Sequence, residues 1–241
     1  MAALHDGAVV SALLFDVQGT ATDFHSTVCD EAQRIGAGRR PGADWPEVVR
    51  RWRASYFTAL EAAQGRGGGW VSVRSVYREA LDTVLDELGI SGFSGAERDE
   101  LTAAWQRLRP WPDVVPGLTR LKSAYTLATL SNADVSAVIE ISKRAGLPWD
   151  VIFAAEMAGV FKPDPAIYRM AATYLGLDPA EIMMVASHKY DIRAASDLGF
   201  ATAFVARPLE FGVDAEADVA YSDEFNINAS DFLDLAGQLG C

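Results

Sequence analysis

The sequence predicts an α/β fold, a doubly wound parallel sheet interrupted once by an all-helical insert. Three observations carry this reading. From about residue 125 onward, short apolar runs alternate with helix-length segments, the rhythm of strand–helix–strand crossovers. An isolated apolar run, Ser11-Ala12-Leu13-Leu14-Phe15, stands near the start. Between these regions, from roughly 24 to 110, the pattern is helical with no convincing strand.

The 241 residues, half of them hydrophobic, suffice for one substantial core or for a core with a smaller insert. The formal net charge of −12 argues against a nucleic-acid partner, which needs a basic face. No apolar run reaches the roughly 18 residues of a membrane span. The first ten residues lack a basic leader region and read as a short disordered lead, not a signal peptide. Cys29 and Cys241 lie far apart and one is terminal, which points to free thiols and a reducing cytoplasm.

In chain order, residues 11–15 form the first strand and Ala21–His25 a short linker. Helices are expected at 26–36 and 45–64, the second with Asp44 as N-cap and Glu47 at capping-box spacing. Gly65-Arg66-Gly67-Gly68-Gly69 resembles a phosphate loop only superficially. No strand precedes it and no Gly-Lys-Ser/Thr follows, so it reads as a helix–helix connection. Helices follow at 73–88 and 96–108. Strands are then expected at 126–130, 151–153, 182–186 and 202–205, with a last short one at 219–221. Helices at 135–145, 163–175, 191–198 and 231–239 intervene or follow.

Polar residues recur at one structural position, the carboxyl ends of the strands, where open α/β sheets bind ligands. Asp16 follows the first strand, with Gly19 allowing a sharp turn. Ser131-Asn132 follows the strand at 126–130, Lys162 precedes the Pro163-Asp164-Pro165 turn, and Ser187-His188-Lys189-Tyr190-Asp191 follows the strand at 182–186. Each also has a plainer role open to it: Asp16 capping a loop, Ser131 as a cap, Lys162 as a surface lysine, Asp191 as an N-cap. Their shared placement is what a site requires. A buried carboxylate at such an edge is free to attack an electrophile.

The signatures Phe15-Asp16-Val17-Gln18-Gly19-Thr20, Leu130-Ser131-Asn132, Phe161-Lys162-Pro163-Asp164-Pro165 and Val185-Ala186-Ser187-His188-Lys189-Tyr190-Asp191 together resemble the haloacid dehalogenase superfamily over about residues 10–235. The resemblance implies a Rossmann-like core at 10–23 and 111–241 with a helical cap domain at 24–110. It implies Asp16 as nucleophile, Ser131 holding substrate or intermediate, and Lys162 neutralising charge.

Two departures separate the chain from the superfamily's phosphatases. Two residues after the nucleophile, where phosphatases carry an acid for the leaving alkoxide, stands Gln18, whose amide cannot transfer a proton at neutral pH. A halide leaves as a stable anion and needs no such acid. The phosphatases also bind Mg²⁺ through an acidic pair in the last motif. Here Ser187 replaces the first acid, and the nearby Lys189 disfavours a divalent ion. The expectation is therefore an enzyme without metal or cofactor.

The closest resemblance is to the 2-haloacid dehalogenases, one subgroup of which shares the stretches Trp111–Leu118 and Ala206–Gly212. It implies a small anionic 2-haloalkanoate substrate, displacement at carbon by Asp16, and hydrolysis of the ester by water activated by Asp191 with help from Lys162. Thr20 and Ser187 would orient the two carboxylates, and backbone N–H groups near Ser131 and Gln18 would hold the substrate carboxylate. Arg53 resembles the family's halide arginine, with Arg51 a competing register and Asn132 a second donor. Either arginine could instead lie on a solvated helix face. His188 is read as a substrate contact or a partner of Asp191, and Tyr168 as a site or core residue. Gln18 stands where an aromatic is usual and raises a second reading, a nitrogen leaving group as in azetidine-2-carboxylate ring opening. Two further readings compete, a Mg²⁺-dependent phosphatase and a non-catalytic binding protein. Family members are often dimers, though no long apolar seam here demands it.

Overall fold

The computed structural model describes residues 9–36, 42–65 and 70–241. Its strands are β1 (Ala12–Phe15), β2 (Thr22–Asp23), β3 (Arg109–Pro110), β4 (Thr126–Ser131), β5 (Val151–Ala154), β6 (Ile182–Ala186), β7 (Ala201–Val205) and β8 (Ile227–Ala229). Six of them form one parallel sheet in the order β5-β4-β1-β6-β7-β8. All four side chains of β1 are buried, as expected of a central parallel strand covered on both faces. The Phe15 ring packs 5.2 Å from both Trp149 and Phe232, burial worth about 1.5–3 kcal/mol for a side chain of this size.

The helices are α1 (Phe24–Gly36), α2 (Trp45–Gly65), α3 (Val73–Glu87), α4 (Gly95–Thr102), α5 (Val114–Leu121), α6 (Val135–Ala145), α7 (Ala155–Ala158), α8 (Pro165–Leu175), α9 (Lys189–Ser196) and α10 (Phe232–Gln238). Right-handed crossovers put α5 and α6 on one face of the sheet and α8 and α9 on the other. The packing of α8 on α9 agrees with this, and α5 packs on α10. The chain leaves β1 toward β4 and β5, then returns to β6 on the far side. β1 therefore sits at the reversal point, where the strand ends open a crevice.

Helices α1 to α4 pack on one another between β1 and β4. Where the chain enters and leaves this insert, β2 and β3 form an antiparallel two-stranded ladder, pairing Thr22 with Pro110 and Asp23 with Arg109. Arg109–Pro110 is thus a strand within an interval expected to hold none. A core residue holds the insert from below. Asp134, ahead of α6, accepts from the backbone N–H groups of Val73 and Arg74 at 2.9 Å each and from Ser72 Oγ at 3.1 Å. Its carboxylate caps the start of α3, a favourable end for negative charge.

Several boundaries differ from the sequence expectation. The residues expected as a linker at 24–25 belong to α1, because Asp23 Oδ1 accepts from Ser26 N at 2.9 Å and starts the helix early. The helix expected at 96–108 ends at Thr102 and continues as a 3₁₀ turn over Ala103–Gln106. The last strand is Ile227–Ala229, not 219–221. Ile227 and Ala229 are buried against β7, whereas Val219 and Tyr221 are exposed. Asp44 does cap α2, accepting from Glu47 N at 3.1 Å. Residues 1–8 of the expected lead and 66–69 of the glycine-rich break lie outside the described residues. Cys29 and Cys241 are free thiols. Among the described residues no helix is long and apolar enough to cross a membrane.

Candidate active site

Asp16 emerges from β1 into the crevice and is 4% exposed. Gly19 then turns the chain with φ +93°, a conformation that favours glycine. The turn brings Thr20 back so that its hydroxyl donates to Asp16 Oδ2 at 2.7 Å. Ser187, at the end of β6, fixes Thr20 in turn. Its backbone N–H donates to Thr20 Oγ1 at 2.9 Å, and the two hydroxyls lie 3.0 Å apart.

The Lys162 ammonium sits between two carboxylates. It donates to Asp16 Oδ1 at 2.9 Å, to Asp191 Oδ2 at 2.5 Å and to the Leu130 carbonyl at 2.9 Å. Asn132 locks the lysine backbone, accepting from Lys162 N at 2.7 Å and donating to Lys162 O at 3.2 Å. Asp191 is fully buried in the first turn of α9, which displaces its reading as an N-cap. Its Oδ1 accepts from the Tyr168 hydroxyl at 2.5 Å. Tyr168 is therefore a partner of the site as well as a core residue.

The His188 ring contacts Asp16, not the Asp191 carboxylate. Its Nδ1 lies 3.2 Å from Asp16 Oδ2, and its Nε2 lies 2.7 Å from Glu210 Oε1. Glu210 comes from the loop after β7 and was missed from sequence. Its stretch, Ala206–Gly212, stood out only as part of a family resemblance.

Arg53 and Arg51 part company. Arg51 lies on the outer face of α2, 2.7 Å from Glu47. Arg53 is buried and donates to Gln18 Oε1 at 3.2 Å and to the Tyr77 hydroxyl. Its guanidinium lies 4.7–5.7 Å from the ring centroids of Phe57, Phe24, Tyr56 and Trp105. The guanidinium keeps its charge at any ordinary pH, and cation–π attraction offsets part of the hydration it loses in this aromatic cage. Tyr77 donates to the same Gln18 oxygen at 3.0 Å, so both lone pairs of that oxygen are occupied.

Asp16, Gln18, Arg53, Ser131, Asn132, Lys162 and His188 line one cavity, together with Tyr56, Phe57 and Tyr190. Among the described residues three buried polar atoms on these side chains lack a partner: Arg53 Nε, Tyr56 OH and Ser131 Oγ. Buried polar groups are normally satisfied, so these mark where a ligand's polar atoms belong.

Burial alone would raise the Asp16 carboxyl, but Lys162 and His188 outweigh it and hold the group well below the usual carboxylate range. Burial dominates at Asp191 and raises it, the opposing pull of Lys162 notwithstanding. Lys162 is pushed above its ordinary value, because Asp16 and Asp191 overcome the effect of its burial. Burial would lower His188, yet Glu210 and Asp16 push it up to about 10. Environments that drive two carboxylates apart separate a permanent anion from a potential base.

The donor set does not suit the Mg²⁺ that this architecture often carries. An ammonium already spans the two carboxylates, and an imidazole holds the remaining Asp16 oxygen. Among the described residues no three His, Cys, Asp or Glu side chains are grouped to hold a metal ion.

A parallel sheet with a helical insert after its first strand, and an aspartate–lysine–aspartate cluster at its carboxyl edge, defines the class of haloacid dehalogenase-like hydrolases. The family model of that description matches residues 10–199. The (S)-2-haloacid dehalogenase of Xanthobacter autotrophicus is 32% identical over 201 residues, covering 83% of this chain and 76% of that protein. That of Pseudomonas sp. (strain YL) is 32% identical, with coverage of 82% and 83%. A defluorinating L-2-haloacid dehalogenase structure superposes with TM-score 0.92 at 39% identity, covering 98% of this chain and 97% of its own. The X. autotrophicus enzyme with chloropropionic acid covalently bound gives 0.78 at 27%, with coverage of 96% and 99%. The chain belongs to the haloacid dehalogenase-like hydrolase family, in its L-2-haloacid dehalogenase branch.

Proposed function

We propose that this hydrolase removes halide from short (S)-2-haloalkanoic acids through an ester on Asp16, without metal or cofactor, in the reducing cytoplasm. One observation carries the reading. Asp16 is a desolvated carboxylate held by Lys162, Thr20 and His188 beside a cavity that ends on a caged arginine.

In the first step an Asp16 oxygen forms a bond to C2 and the carbon–halogen bond breaks with inversion, the halide leaving with the electron pair. Arg53 receives that charge inside its aromatic cage, and Ser131 Oγ donates to the substrate carboxylate. Residues 24–110 act as a cap that brings Arg53 over the core crevice and excludes water. In the second step water adds to the Asp16 carbonyl carbon and gives a proton to Asp191, whose raised pKa suits a base. Lys162 steadies both carboxylates. Collapse expels the 2-hydroxy acid, its oxygen taking the proton back from Asp191. The remaining proton leaves the restored Asp16, whose carboxyl does not retain it.

Support for the covalent route comes from the X. autotrophicus relative with chloropropionic acid bound covalently. The defluorinating relative makes fluoroacetate a substrate to try. Gln18 offers no free oxygen lone pair to an ammonium, which removes the argument for a nitrogen leaving group. Incubation with both 2-chloropropionate enantiomers and with fluoroacetate, in EDTA, tests the proposal. Halide release from the (S)-enantiomer is expected; Mg²⁺-dependent phosphate ester hydrolysis without halide release would replace it with the phosphatase reading.

A further inference from the structure

Glu210 takes part in no step above, yet it is 4% exposed and held from several sides. Arg207, at the start of its turn, accepts from Glu210 N through its carbonyl at 3.1 Å. The Arg207 guanidinium makes a bidentate pair with Asp113 at 2.8 Å on both oxygens and donates to the Thr20 carbonyl at 2.8 Å. The same turn is thus tied to the nucleophile loop. That loop is pared to bare backbone where Glu210 passes: a Cβ on Gly19 would lie 2.4 Å from Glu210 Oε1.

His188 stands between Glu210 Oε1 at 2.7 Å and Asp16 Oδ2 at 3.2 Å, one carboxylate on each ring nitrogen. An ionised carboxylate only accepts, and a neutral imidazole has a single N–H. A neutral ring would turn a lone pair on one of the two carboxylates. Both contacts are satisfied only by the imidazolium. The other groups around the ring are Tyr190 on its own helix, 5.9 Å between centroids, and Lys162 and Arg53 across the cavity.

We propose that Glu210 is a positioning residue that fixes His188 as a doubly protonated cation against Asp16, and that this cation serves both substrate entry and ester hydrolysis. The proposal rests on the reaction given above. Charges explain the first role. Asp16, Asp191 and Glu210 are offset by Lys162, Arg53 and His188, so a neutral site meets the anionic substrate within a protein of net charge −12. A neutral His188 would leave the site negative. The second role follows from the donors on Asp16 Oδ2. The Thr20 hydroxyl donates to this oxygen and the His188 cation lies 3.2 Å from it, so a donor and a positive charge meet the negative charge that returns during water addition.

The test is the pair Glu210→Gln and His188→Asn with their double variant, read by NMR titration of the histidine and by the pH dependence of (S)-2-chloropropionate turnover. In the wild type the His188 ring is expected to keep its proton up to about pH 10. In E210Q it titrates toward the ordinary histidine value of about 6.5, and kcat/KM falls about fourfold at pH 7 and about thirtyfold at pH 8. E210Q added to H188N costs at most about twofold, because Glu210 acts only through the ring. Glu210→Asp restores part of the alkaline limb. An unchanged His188 titration in E210Q, or an equal E210Q loss in the H188N background, overturns the proposal. A shifted titration in a protein that releases no halide upholds the charge assignment and refutes the reaction instead.

Discussion

The Tyr168 hydroxyl donates to Asp191 at 2.5 Å, on the oxygen opposite the one held by Lys162. Asp191 is thereby fixed in orientation at both oxygens, with burial raising its pKa. In the mechanism proposed, a base held in this way serves the second half of the reaction and not the first. Asp191→Asn is expected to release one equivalent of halide and then stall. Intact-mass measurement finds the protein heavier by the substrate's hydroxy-acid residue, and multiple turnovers by this variant would remove Asp191 from the mechanism.

Lys162 neutralises two buried carboxylates at once. Lys162→Met leaves Asp191 without its cation and Asp16 with His188 alone, a loss of about 3–5 kcal/mol of the kind seen when one partner of a buried pair is removed. Urea denaturation reads the stability and halide release the activity; both are expected to fall together.

Arg53 and Arg51 are two residues apart and opposite in consequence. Arg53→Lys loses the planar group that fills the aromatic cage and reaches Gln18 and Tyr77, and kcat/KM is expected to fall by about a hundredfold. Arg51→Ala removes an exposed pair with Glu47 and is expected to leave stability and kcat/KM essentially unchanged. Steady-state kinetics of the two variants separates the residues.

The two aspartates titrate in opposite directions. Asp16 is depressed, so its contribution to stability is present above its unfolded value of 3.8 and is lost as pH falls through its lower folded value. Asp191 is raised, so it costs stability above 3.8 and that cost is relieved as pH falls through its higher folded value. Under the proposed mechanism activity is therefore expected to fail on the acid side before Asp16 is protonated, with an acid limb above 3.8. That limb reports Asp191, and it is expected in kcat under conditions where hydrolysis of the ester limits the rate.

Asp134 couples the core to the insert. Asp134→Ala leaves the N–H groups of Val73 and Arg74 without their acceptor, at about 1–3 kcal/mol. If this contact seats the insert over the crevice, KM rises more than the stability loss alone explains, as a comparison of calorimetry with kinetics would show.

Much of this was legible because buried parallel strands are written as unbroken apolar runs. Residues 11–15 and 182–186 identify themselves in that way, and the residues after them follow from the sheet's common direction. The last strand was not legible. Ile227-Asn228-Ala229 sits at an edge with Asn228 half-buried, whereas Val219-Ala220-Tyr221 looks more strand-like and lies exposed. Arg53 could have been separated from Arg51 on a helical wheel. It shares a stripe with the buried Val49, Trp52 and Tyr56, while Arg51 follows Glu47 on the outer face. Glu210 had no such signal. A lone acid in a loop carries no periodicity, and its meaning arises only when β7 and β6 bring it against His188.

The covalent role of Asp16 is tested most directly by a single turnover in H₂¹⁸O with enzyme in excess over (S)-2-chloropropionate. The expected result is one ¹⁸O atom in the peptide containing Asp16 and none in the first lactate formed. Label in the lactate with Asp16 unlabelled would mean that water attacks the substrate carbon itself, contrary to the mechanism proposed.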